Sequence, residues 1–115
     1  MDCLNDTLEA IRRFCDERDW SPFHVPTQVA AALAVEAAEL QETMLWQSES
    51  EVRTYLETEE GHHRASEEVA DVLIYALLFC QSANIDPIHA IHSKLVSNAQ
   101  KYPVESYRAR RSGKA

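Results

Sequence analysis

The residues of this chain best suited to chemistry are two acidic pairs, Glu36 with Glu39 and Glu68 with Asp71, each separated by three positions within a long, mostly apolar stretch. On a helix that spacing places both carboxylates of a pair on one side, about one turn apart. Four carboxylates brought together by packing two such helices repel one another strongly unless a cation sits among them. Apart from Arg64 at one end, neither stretch supplies a base to neutralise them. Oxygen-only ligands favour a hard ion, Mg²⁺ or its substitute Mn²⁺, and carboxylate-held Mg²⁺ usually serves a phosphate substrate. The pattern points to metal-assisted chemistry on a nucleotide or a related phosphate ester.

Other residues fit such a substrate. Trp20, Trp46, Tyr75 and Tyr102 offer π-faces on which a base can stack, and Asn98 can hydrogen-bond a base edge. Lys94, Asn98 and Lys101 stand at i, i+4 and i+7, so one side of a helix carries two cations able to meet phosphate. Glu59, Glu60, His62 and His63 include Glu-x-x-His spacings of the kind that build di-iron sites, but Gly61 interrupts them and no apolar phase surrounds them, which predicts an exposed loop. His89 and His92 lack an acidic partner at such spacing and read as packing or surface residues. Glycine-rich phosphate loops and Ser or Cys nucleophile motifs are missing, so phosphate recognition falls to metal and side chains.

The elements that must position these residues are helical. Asn5 and Asp6 precede an apolar stripe of Leu8, Ile11, Phe14 and Cys15, predicting a first helix that ends near Asp19. Pro22 and Pro26 break the next segment. Thr27 is expected to cap a second helix through about Gln47, with Glu36 on the shoulder of its Val29, Leu33, Ala37, Leu40, Met44 stripe and Glu39 further round. Val52, Tyr55 and Leu56 can support a short helix in the polar stretch that follows. A third long helix is expected from Ser66 to Asn84, and a fourth from the Asp86-Pro87 start signal to about Tyr102, where Pro103 stops it. No alternating strand pattern or internal repeat is present. The expected fold is all-α, a four-helix bundle of antiparallel helices joined by short loops.

Composition sets the bounds. The 115 residues suffice for one domain with a single core, close to the size at which oligomerisation adds useful buried surface. A hydrophobic content of 45% with two glycines and four prolines excludes a disordered chain. No run approaches a membrane span and no signal peptide is evident, so a cytoplasmic protein without a membrane partner is expected. Cys3, Cys15 and Cys80 show no pairing or zinc spacing and read as reduced, mostly buried thiols. Four of the 11 basic residues, Arg108, Arg110, Arg111 and Lys114, fall at the end of the chain, leaving seven against 19 acidic residues and a net charge of −12 over residues 1–107. So acidic a body repels nucleic acid and free triphosphate alike, and a phosphate substrate must arrive with metal. Residues 105–115 read as a flexible basic tail following a domain at 1–104.

The spaced motifs resemble those of the all-α nucleoside triphosphate pyrophosphohydrolases of MazG type. Glu36, Glu39 and Leu40, then Trp46, then Glu67, Glu68, Asp71 and Tyr75, and finally Lys94, Asn98, Lys101, Tyr102 and Pro103 match that family's pattern in order and spacing over about residues 8–104. Arg18, Asp19, Trp20, Phe23 and His24 make the chain most similar to the dCTP pyrophosphatase branch. The resemblance implies Mg²⁺-dependent cleavage of dCTP, a modified dCTP or related (d)NTPs between the α and β phosphates, giving the monophosphate and pyrophosphate. It assigns Glu36, Glu39, Glu68 and Asp71 to metal; Trp20, Trp46, Tyr75 and Asn98 to the nucleoside; Lys94, Lys101 and Tyr102 to the phosphates; and His24 to substrate binding. Either Glu39 or Glu42 can orient or deprotonate the attacking water. It further implies a homodimer or a homotetramer built as a dimer of dimers, with sites formed where neighbouring subunits meet. One departure is Ile11, where dCTP-type enzymes can carry a polar residue. The competing expectations are a non-catalytic helical module that binds metal or nucleotide for regulation, and a purely structural oligomerisation module.

Overall fold

Helical periodicity carries almost the whole architecture. The structure, a computed structural model, describes residues 3–108. Five α-helices follow one another: α1 (Leu4–Glu17), α2 (Pro26–Glu42), α3 (Glu49–Glu57), α4 (Glu59–Ser82) and α5 (Pro87–Lys101), with a 3₁₀ turn at Ser21–Phe23 between α1 and α2. Among the described residues there is no β-strand, and residues 104–108 add a further helical turn. The all-α expectation holds, but the count of four helices does not. No single helix among the described residues is long and apolar enough to cross a membrane.

The chain divides into two units, one ending at Asn84 and one beginning at Ile85. In the first, α2 packs most extensively along α4, which α3 and α1 also contact. Cys15 of α1, Val29 of α2 and Leu78 of α4 form the buried centre, with Ile11, Tyr75 and Phe79 packed against it. Gln81 ties α1 to α4 by donating its side-chain amide to the Leu8 carbonyl at 3.0 Å. The cysteines are free, although only Cys15 is buried; Cys80 is half-buried and Cys3 exposed, against the expectation of mostly buried thiols. In the second unit Asp86 caps α5 by accepting the His89 backbone N–H at 3.1 Å, with Pro87 at the first helical position as predicted. Tyr102 follows the end of α5 and meets Tyr107 edge to face at 5.5 Å. Arg110, Arg111 and Lys114 of the basic tail lie outside the described residues.

Three helix boundaries differ from the sequence expectations, each for a local reason. Pro26, not Thr27, opens α2, because a proline at the first helical position arrives with its φ already suited to the helix. That helix stops at Glu42 rather than Gln47: the Thr43 hydroxyl donates to the Leu40 carbonyl at 2.7 Å, and Trp46 turns into the left-handed region at φ 65°. The largest correction concerns residues 59–63, which form the first turns of α4 and not a loop. Thr58 ends α3 and caps α4 at once, donating its hydroxyl to the Tyr55 carbonyl at 2.6 Å and accepting the Gly61 N–H at 3.0 Å. A Cβ at Gly61 would lie 2.0 Å from that same Tyr55 oxygen. Gly61 is there for close approach of two helices, not to break one. The Ser48 and Glu51 capping box that starts α3 is likewise written in the sequence as Ser-x-x-Glu.

Candidate functional site

The packing of α2 on α4 brings the predicted acidic pairs together. Carboxylate oxygens of Glu36 and Glu39 from α2 and Glu68 from α4 all lie within 4.8 Å of one another. Asp71, one turn further along α4, is close enough that its charge acts on Glu36. Burial is the main cause that raises the Glu36 carboxyl above its ordinary 4.5; a hydrogen bond with Glu39 and the charges of Glu39, Asp71 and Glu68 add to it. One oxygen of Glu36 and one of Glu68 are buried with no hydrogen-bond partner. Among the described residues none of the four carboxylates is paired with a basic side chain.

Buried carboxylate oxygens without a donor are costly unless something positive completes them. A hard divalent cation fits: the donors are all carboxylate oxygens, they converge from two helices, and two of them lack any other partner. The cluster is able to hold such an ion.

Beside it runs a cavity of about 480 Å³ between α1 and α4. Asp71 belongs to its wall and its charge also acts on Glu36, so Asp71 links the cavity to the acidic cluster. Tyr75 follows one turn along the same helix, while Trp20 and His24 enter from the segment between α1 and α2. The α1 side, Ala10, Ile11 and Phe14, is apolar apart from Thr7. The site thus gathers three carboxylates, a fourth at the cavity wall, three aromatics, Phe14, Trp20 and Tyr75, and one His.

The remaining candidates are carried by other segments. Glu42 is the last residue of α2 and is exposed. Trp46 is 98% exposed and does not line the cavity. Lys94, Asn98 and Lys101 share one side of α5 in the second unit, where the half-buried Asn98 accepts the Tyr102 N–H through its backbone carbonyl at 2.7 Å. The Lys101 ammonium stands 5.4 Å from the centre of the Tyr102 ring. Sequence reasoning passed over Phe14 and Ile74, which line the cavity, because an apolar stripe reads as core. The nearest available signal was the concentration of aromatic residues around Trp20.

Comparison with known proteins agrees with this geometry. The MazG-like family matches residues 31–112, a range that includes Glu36, Glu39, Glu68 and Asp71. The dCTP pyrophosphatase 1 of Rattus norvegicus is 38% identical over 102 residues, 85% of this chain and 60% of that protein. Its namesake in Homo sapiens is 35% identical over 107 residues, 90% of this chain and 63% of that protein. The chain therefore spans about three-fifths of the length of these relatives. The crystal structure of a pyrophosphatase from Archaeoglobus fulgidus matches with a TM-score of 0.81 and 38% identity, over 90% of this chain and 94% of that one. With the acidic motifs inside the matched range and the fold shared over nine-tenths of its length, the chain belongs to the MazG-like family.

Proposed function

We propose that this chain is a Mg²⁺-dependent nucleoside triphosphate pyrophosphohydrolase, able to use Mn²⁺, that converts dCTP or a modified dCTP of the cytoplasmic pool to the monophosphate and pyrophosphate. The observation that carries this reading is an acidic cluster linked through Asp71 to a neighbouring aromatic cavity. The names of the relatives, dCTP pyrophosphatase 1, support the substrate class.

On this reading Glu36, Glu39, Glu68 and Asp71 hold the cation. Bound there, it supplies Lewis-acid neutralisation of the phosphate oxygens and eases deprotonation of water. Trp20 and Tyr75 each offer a π-face to the base, and His24 lines the same cavity. Glu39 or Glu42, one turn apart at the end of α2, orients the attacking water and takes its proton. Water attacks the α phosphorus and the bond to the β phosphate breaks, a reaction that depends chiefly on positioning and electrostatics. Trp46 and Asn98 serve the nucleoside, and Lys94, Lys101 and Tyr102 the phosphates, by their match to the family motifs.

A homodimer or homotetramer accompanies this reading. Val35 on α2 and Leu73 on α4 are each 56% exposed, and the core has few fully buried side chains, so apolar helix faces are left for a second copy to cover. The deciding experiment is a pyrophosphate-release screen over the (d)NTPs with Mg²⁺ and with a chelator. Expected is stoichiometric monophosphate and pyrophosphate, fastest from a cytosine nucleotide and lost with chelator. Tight nucleotide binding without release would identify a regulatory binding module instead.

A further inference from the structure

We propose that Arg18 is a positioning residue for the nucleoside pocket, holding Phe14 and through it Trp20 at the cavity wall; this rests on the reading of that cavity as the nucleotide site. Arg18 follows the last residue of α1, and its guanidinium does two things at once. It donates to the Phe14 carbonyl at 3.0 Å, and its central carbon lies 3.8 Å from the centre of the Phe14 ring. The Glu17 carboxylate, 3.7 Å from the same nitrogen, steadies it. Phe14 in turn meets Trp20 edge to face, with ring centres 5.7 Å apart and planes at 72°.

Both rings line the cavity, yet Phe14 is 47% and Trp20 46% exposed, so burial alone does not hold either in place. The backbone beneath them is well secured. Asp19 sits in the left-handed region at φ 55°, which turns the Trp20 N–H back to the Cys15 carbonyl at 3.0 Å, and the Ser21 hydroxyl donates to the Asp16 carboxylate. What the backbone leaves open is the orientation of the rings, and the guanidinium lies over one face of the Phe14 ring. A lysine can satisfy a helix-end carbonyl but cannot stack a planar cation on the ring. That difference separates positioning from ordinary helix capping.

Kinetics and fluorescence together test the assignment. Arg18→Ala is expected to raise KM for every accepted nucleotide roughly 3- to 10-fold with kcat nearly unchanged, the size of one partly exposed cation–π contact. Arg18→Lys should restore thermal stability but not KM. In a Phe14→Leu background, Arg18→Ala should add little, because the two act in series. With Trp46→Phe leaving Trp20 as the sole tryptophan, Arg18→Ala should make Trp20 more open to acrylamide quenching without nucleotide present. A wild-type KM in Arg18→Ala, full recovery by lysine, additive effects with Phe14→Leu, or unaltered quenching would each overturn the Arg18 assignment. An unmodified enzyme that hydrolyses no (d)NTP would instead overturn the functional reading on which it rests.

Discussion

α4 carries two acidic regions built from similar residues: Glu59 and Glu60 with His62 and His63 in its first turns, then Glu68 and Asp71 about two turns later. The first group is exposed, and its His63 imidazole lies 3.5 Å from the exposed Glu67 carboxylate. The second faces Glu36 and Glu39 of α2, where one oxygen of Glu68 and one of Glu36 are buried without a partner, and its charges add to the burial that raises the Glu36 carboxyl. Charge and spacing are shared, so neither explains the difference. The partner helix does: α2 brings like charges against α4 and excludes solvent, whereas α3 meets the start of α4 through a backbone contact at Gly61. Acidity becomes a candidate site only where packing makes it costly without a cation.

The strongest way to break this contrast is to neutralise each region in turn. Glu39→Gln and Asp71→Asn should each lower kcat by orders of magnitude while circular dichroism stays helical, since each removes a ligand charge but little volume. Glu59→Gln should leave turnover near wild type. Equal losses at both ends of α4 would erase the distinction.

Metal sharpens it. Mg²⁺ or Mn²⁺ should raise the melting temperature of wild type, by about 2.7 kcal/mol of stability at a hundredfold excess over Kd, and should not do so for Glu68→Gln. In chelator the sign of the pH dependence follows from Glu36. Its carboxyl is raised above 4.5 in the folded state, so the folded form binds the proton more tightly than the unfolded one. The stability it contributes is complete below pH 4.5 and is lost as pH rises through the elevated value. Metal-free protein should therefore melt lower as pH climbs upward from there, and Glu36→Gln should flatten that slope.

Two smaller effects belong to the exposed region. Gly61→Ala should destabilise the fold by roughly 1–3 kcal/mol, because its methyl group must displace the Tyr55 carbonyl, yet leave kcat of the folded protein intact. Chemical denaturation paired with an assay at low temperature separates the two. Least of all, His63→Ala should shift stability by about 0.5 kcal/mol or less, as removal of an exposed polar contact does. A larger shift would mean that the region does more than cap a helix.

The sequence by itself determined the helices and the candidate ligands. Asp86 and Pro87 announce the start of α5, Asn84 at φ 57° ends the run before it, and the i, i+3 acidic pairs mark which helix sides matter, because capping and periodicity are local properties of the chain. Tertiary structure decided what local signals do not contain. Gly61 reads as a breaker until α3 is packed close enough for its missing Cβ to be required. Glu36, Glu39 and Glu68 are spaced acidic residues on two separate stretches until α2 lies on α4 and brings their oxygens within 4.8 Å, while the fold places Asp71 in a cavity wall with Trp20 and Tyr75 and leaves Trp46 in solvent. Those outcomes depend on contacts between residues tens of positions apart, where distance, burial and desolvation are set jointly by two helices and belong to neither sequence segment alone.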